Sequence, residues 1–111
     1  MASCYKLMVL SQPVAGREDE YHRWYEDAHM RQMLALPGVK SAQRFRLARG
    51  LGERHTWPYL AIYEVETDDI DGVLQELSRR AGGEHLVISD ALAKDSVYAA
   101  VYEALAPAVV K

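Results

Sequence analysis

At 111 residues with a formal net charge of −3 and a single cysteine, the chain has the size of one domain, and it excludes both an intrachain disulfide and a basic nucleic-acid footprint. No stretch approaches the roughly 18 to 20 apolar residues of a membrane helix, and no linker or repeat divides residues 1–111, so one soluble, cytoplasmic domain without nucleic-acid or membrane partners is expected. About two thirds of the unfolded chain's surface can be buried at this size; a ligand pocket would remove part of that core, and dimerisation would restore it.

Cys4 to Leu10 alternates apolar and mixed residues and reads as a strand, followed by a loop through Pro13 and Gly16. From Arg17 or Glu18 to Leu36 the apolar and aromatic residues Tyr21, Trp24, Tyr25, Ala28, His29, Met33 and Leu36 recur at helical spacing, with Gln32 among them. The same spacing leaves His22 on the solvent side. Glu18, Asp19 and Glu20 suit the positive end of the helix dipole; at adjacent positions they do not share a face as metal ligands would.

Pro37-Gly38 ends the helix, because proline disfavours a helical residue before it and glycine tolerates the positive φ of a cap. A strand over Val39–Arg49 then places Val39, Ser41, Gln43, Phe45 and Leu47 on one face and Lys40, Ala42, Arg44, Arg46 and Ala48 on the other. Gly50–Trp57 is a loop carrying His55 and Trp57. Pro58–Glu66 is the third strand, with Tyr59, Ala61, Tyr63 and Val65 on one face.

Thr67-Asp68 offers a cap for a second helix, striped by Ile70, Val73, Leu74 and Leu77, that runs to about Arg80 and stops at Ala81-Gly82-Gly83. Glu84–Asp95 is irregular or a short helix, and Ser96–Leu105 is a fourth strand, although its alanines also permit a helix. The order β-α-β-β-α-β predicts a ferredoxin-like α+β fold, a four-stranded antiparallel sheet with both helices on one face. Its other face needs cover, and a second copy packed sheet to sheet supplies it.

Tyr21, Tyr25, His29 and Gln32 form a ladder aimed at the sheet, and a neutral imidazole among phenols can move a proton near pH 7. An inward histidine is also an ordinary core residue. Arg44, if it faces the helix, offers a fork of donors for a carboxylate or an enolate; the alternative is a rim salt bridge to Glu64 or Glu66. His55 is a loop histidine whose role depends on closeness to His29, and His85 follows Gly82-Gly83. No nucleophile elbow, phosphate loop, zinc helix or dinucleotide fingerprint is present, and Cys4 reads as a buried structural thiol.

The run EYHRWYEDAHMRQMLALPGVKSAQRFRL, followed by WPYLAIYEVE, resembles the EthD-like branch of the dimeric α+β-barrel superfamily, in which an aromatic- and histidine-bearing helix leads through "PG" into a strand of the type S-A-x-R-F. The match covers about two thirds of the chain. The resemblance implies a homodimer with a pocket between sheet and helices. It also implies kinship with polyketide cyclases, methylmuconolactone isomerases and cofactor-free monooxygenases. By motif, the helix histidine, strand arginine and loop histidine of the cyclases correspond to His29, Arg44 and His55. Where a haem-degrading relative would carry an iron-ligating histidine on its second helix, this chain has none between Asp69 and Arg80.

The expected activity is therefore proton transfer (isomerisation, cyclisation or elimination) on a hydrophobic aromatic, lactone or polyketide-like small molecule, with no cofactor and no metal. His29, Arg44, His55 and Tyr25 would carry the chemistry, and Tyr21, Trp24, Trp57, Tyr63 and His85 would line the substrate. A non-catalytic dimeric binder serving an oxygenase and a cofactor-independent monooxygenase are the alternatives.

Overall fold

The structure is a computed structural model that describes residues 2–52 and 54–111; Met1 and Glu53, the latter within the expected Gly50–Trp57 loop, lie outside the described residues. Strand β1 (Ser3–Ser11) leads into a long first helix made of α1 (Glu18–Trp24), a π turn (Tyr25–His29) and α2 (Met30–Leu34). Strands β2 (Val39–Arg46) and β3 (Tyr59–Thr67), helix α3 (Ile70–Arg80) and strand β4 (Tyr98–Glu103) follow. The four strands form one antiparallel sheet in the order β2-β3-β1-β4, which is the ferredoxin-like arrangement that the element order predicts.

One face of the sheet meets the helices. Leu7 from β1, Ala61 and Tyr63 from β3, and Tyr21, Trp24, Tyr25, Met33 and Leu36 from the first helix make the core, with Leu77 of α3 packed against it. Entry into β2 depends on Gly38, whose φ of 88° is left-handed and whose added Cβ would stand 3.0 Å from the Glu66 carbonyl. Glu66 donates its N–H back to the Gly38 carbonyl at 2.8 Å, so the turn is stitched to the end of β3.

The expected faces of β2 need one correction. Val39 opposes Val65 and Ser41 opposes Glu64, so Lys40 is an extra residue in a bulge. Val39 therefore joins Ala42 and Arg44 on the helix side, and the alternation holds only from Ser41 onward. β2 also ends at Arg46, three residues before the expected Arg49, and β4 is shorter than Ser96–Leu105 at both ends. α3 is capped by Asp69, one residue after the Thr67-Asp68 pair; its Oδ1 accepts from the Gly72 N–H at 3.0 Å, and Thr67 Oγ1 accepts from the Asp69 N–H.

The segment between α3 and β4 contains no helix. It is a strap held down along the first helix: Trp24 Nε1 donates to the Val87 carbonyl at 2.7 Å, and Gln32 pairs with the Glu84 carbonyl and the Val87 N–H. Leu86 and Ala91 are buried beneath it. Gln32 thus faces the strap and not the sheet.

The opposite face of the sheet carries Met8 and Leu10, Leu60 and Ile62, and Ala100 as cross-strand neighbours, with Phe45 beside Leu60. A groove of about 400 Å³ runs over this face between Cys4, Lys6, Met8, Glu64, Glu66 and Tyr102, so Cys4 is exposed and not buried as expected, because its side chain shares the strand phase of Lys6 and Met8 on the face away from the helices. Among the described residues, no helix is long and apolar enough to cross a membrane.

Candidate functional site

The polar residues gather where the N-terminal half of the first helix lies over the ends of β1, β2 and β3. Tyr21 is completely buried, and its hydroxyl shares a 2.6 Å hydrogen bond with Ser11 Oγ at the end of β1; the Tyr25 hydroxyl lies 3.4 Å from the same oxygen. Burial pushes the Tyr21 phenol up to about 12 and raises Tyr25 and Tyr63 as well. All three are neutral hydrogen-bonding groups at pH 7.

Arg44 reaches up from β2 among these rings. Its guanidinium carbon is 4.3 Å from the centre of the Tyr25 ring, 5.6 Å from Tyr21 and 5.7 Å from Tyr59, and its side chain is 17% exposed. The rim salt bridge to Glu64 or Glu66 does not form. Glu64 pairs instead with Lys6 and Ser41 on the opposite sheet face, and among the described residues the carboxylate paired with Arg44 is the exposed Glu26 at 3.8 Å. Such a pair at the surface neutralises little of the charge. Among the described residues, the one hydrogen bond that Arg44 makes is from Nη2 to His22 Nδ1 at 3.0 Å, which leaves most of the donors of its fork unused.

His22 is therefore misplaced by the helical spacing. It is half-buried, bonded to Arg44 and, through Nε2, to the Tyr59 hydroxyl at 3.1 Å. The physical reason is that Arg44 and Tyr59 are long enough to rise beside the helix, so the enclosed stripe is wider than the apolar residues alone indicate. Tyr59 and Ser11 are the other missed members. Tyr59 shares the strand phase of Ala61 and Tyr63, and Ser11 shares that of Leu7 and Val9, so two-residue alternation carried the signal.

His29 sits one turn further along, 8% exposed and caged by rings: Trp24 at 4.5 Å, Tyr25 at 5.1 Å and Tyr63 at 6.3 Å between centroids. Its Nδ1 is buried with no hydrogen-bond partner among the described residues. Burial first, and the Arg44 charge second, lower its pKa to about 4, so it is a free base at neutral pH. The π turn explains why Tyr21, Tyr25 and His29 stay aligned. Every fourth residue drifts around an α-helix, and the wider turn over Tyr25–His29 returns His29 to the sheet-facing line.

The Tyr25 ring lies against both Arg44 and His29, so the helix histidine and the strand arginine are neighbours across one tyrosine. Tyr21, Trp24 and Tyr63 pack around it. The other expected members lie elsewhere. His55 is exposed, with its ring edge-on to Trp57 at 4.9 Å, and Trp57 in turn bonds the Ser96 carbonyl and packs on Tyr98 near the start of β4. Among the described residues, no hydrogen bond or ring contact joins His55 to Arg44 or His29. His85 is a solvated side chain 3.6 Å from Glu84.

No protein-family model matches the sequence, and no match is found among curated proteins. Solved structures do match. A proposed monooxygenase from Shewanella loihica PV-4 superposes with a TM-score of 0.62 at 17% identity, over 96% of this chain and 99% of that one. An ethyl tert-butyl ether (EthD) family protein from Bacillus halodurans C-125 superposes with a TM-score of 0.54 at 12% identity, over 92% of this chain and 99% of that one. The fold is shared with an EthD family protein. The likeness is one of fold, and it covers the whole sheet and both helices.

Proposed function

We propose that the protein is a small-molecule enzyme that works without a cofactor and moves a proton on an aromatic, lactone or polyketide-like substrate. The observation that supports this reading is Arg44: a largely buried guanidinium, walled by three tyrosine rings, whose one carboxylate partner among the described residues is the solvent-exposed Glu26 at 3.8 Å. A planar substrate that develops negative charge on oxygen supplies a closer, desolvated counter-ion. The uncharged His29 beyond Tyr25 is the base. It takes a proton from a carbon next to a substrate carbonyl, and the C–H bonding pair moves onto that carbonyl to give an enolate held by Arg44. Return of the proton at another atom completes an isomerisation, whereas attack of the enolate carbon on a second carbonyl closes a ring and the alkoxide so formed takes the proton back. Burial is the larger cause of the lowered His29 value and Arg44 the smaller; the enolate offsets the Arg44 repulsion, so the imidazole regains that part of its proton affinity as the proton arrives.

Native mass spectrometry of the purified protein, followed by turnover of the copurifying compound or its close analogues, tests the proposal. His29→Ala is expected to lose about 10²- to 10⁴-fold in turnover, the usual contribution of a positioned base. Full turnover in that variant rejects the role, and tight binding with no turnover in the native protein favours the non-catalytic binder. The Shewanella neighbour gives weight to one variant of the chemistry, in which the anion held by Arg44 reacts with oxygen. Oxygen consumption with a hydroquinone substrate distinguishes it.

A second copy of the chain is inferred to cover the open sheet face, where Met8, Leu10, Leu60, Ile62 and Phe45 otherwise meet water. Sedimentation at low concentration tests this; a stable monomer rejects it.

A further inference from the structure

We propose that the Tyr59 hydroxyl is a second oxyanion donor beside Arg44 and that His22 positions both, an inference that rests on Arg44 being the anion-binding group. A guanidinium has only N–H donors, so the 3.0 Å contact from Arg44 Nη2 requires a lone pair on His22 Nδ1. The imidazole proton must then be on Nε2. That N–H lies 3.1 Å from Tyr59 Oη, so His22 donates and the tyrosine oxygen accepts. The direction of the whole chain follows from one arginine.

Tyr59 is left with its own O–H to give, and no other hydrogen-bond partner holds that hydroxyl among the described residues. A hydroxyl that already accepts a hydrogen bond is polarised into a better donor. Its ring flanks the guanidinium at 5.7 Å, packs on Tyr21 at 5.5 Å and meets the His22 edge at 4.7 Å between centroids. One charged and one neutral donor therefore flank the same imidazole between aromatic walls, Arg44 at Nδ1 and Tyr59 at Nε2. This spacing suits a flat anion whose negative charge is shared between two oxygens, one held by Arg44 and the other by the Tyr59 hydroxyl. His22 touches no substrate in this arrangement; it is a positioning residue.

The test uses 4-nitrophenol, whose absorbance separates bound phenolate from bound phenol, and so needs no knowledge of the natural substrate. The wild-type site is expected to prefer the phenolate. Tyr59→Phe keeps the ring and removes the donor. His22→Asn keeps an acceptor for Arg44, because its amide oxygen takes the place of Nδ1, but does not reach Tyr59. Each is expected to weaken phenolate binding on the order of tenfold, and the double variant is expected to be no weaker than either alone. In wild-type protein labelled with ¹⁵N-histidine, the His22 nitrogens are expected to report the Nε2–H tautomer. Unchanged phenolate preference in Tyr59→Phe, or effects that multiply in the double variant, overturns the proposal. If Arg44→Met loses the preference while Tyr59→Phe does not, the proposal alone falls. An undiminished preference in Arg44→Met removes the anion site itself.

Discussion

Acid sensitivity of His29 is the most direct physical consequence of its cage. Unfolded, the imidazole titrates at its ordinary value near 6.5; folded, burial and the Arg44 charge hold it to about 4. Between those values the unfolded chain binds the extra proton, so stability rises with pH there. The contribution is fully present above about 6.5 and is lost as pH falls through 4. The full shift corresponds to about 3 kcal/mol, of which about 2 kcal/mol is lost between pH 7 and pH 5.

His29→Leu removes the titrating group and fills the cage between Trp24, Tyr25 and Tyr63 with apolar atoms. Urea unfolding of both proteins at pH 7 and pH 5, at one fixed protein concentration, isolates the effect, because every other group titrates alike in the two. The wild type is expected to lose about 2 kcal/mol more than the variant on going to pH 5. Parallel losses, or an NMR titration of His29 with its midpoint near 6.5, would show that the ring is not desolvated as the geometry requires.

Three further outcomes are expected. Ser11→Ala leaves the fully buried Tyr21 hydroxyl without its 2.6 Å partner and should cost about 1–3 kcal/mol in urea unfolding; Tyr21→Phe in the same background should recover part of that loss, since no orphaned hydroxyl remains. Gly38→Ala should lose at least about 1–2 kcal/mol from the left-handed backbone alone, with the Glu66 carbonyl only 3.0 Å from the new methyl, whereas Gly52→Ala, with nothing within 4 Å, should stay within about 0.5 kcal/mol of wild type. Ile62→Glu places a charge at the centre of the open sheet face, between Met8 and Gln43; on the proposal that a second copy covers this face, it should shift sedimentation from dimer to monomer without altering the circular dichroism of the helices.

Much of the architecture was legible in periodicity. The 3.6-residue recurrence from Tyr21 to Leu36, the "PG" stop and the two-residue alternation of Tyr59, Ala61, Tyr63 and Val65 are local patterns, and local patterns determined the elements and which face of each is buried. They failed where a backbone irregularity shifts the phase. The bulge at Lys40 moved Val39 to the other side of β2, and no residue type announces a bulge there. The π turn acted the other way, keeping His29 on the line from which ordinary helical drift would carry it.

The site divides along the same line. That His29, Arg44, His55 and Tyr25 are side chains suited to proton and anion chemistry is a property of residue type and spacing, which the sequence determines by itself. That Arg44 lies against Tyr25, that His22 bridges it to Tyr59, and that the His55 ring packs on Trp57 were decided only by tertiary structure. The reason is one of range: periodicity orients a side chain relative to its own element, whereas a hydrogen bond between Arg44 and His22, 22 residues apart, depends on how a helix and two strands cross.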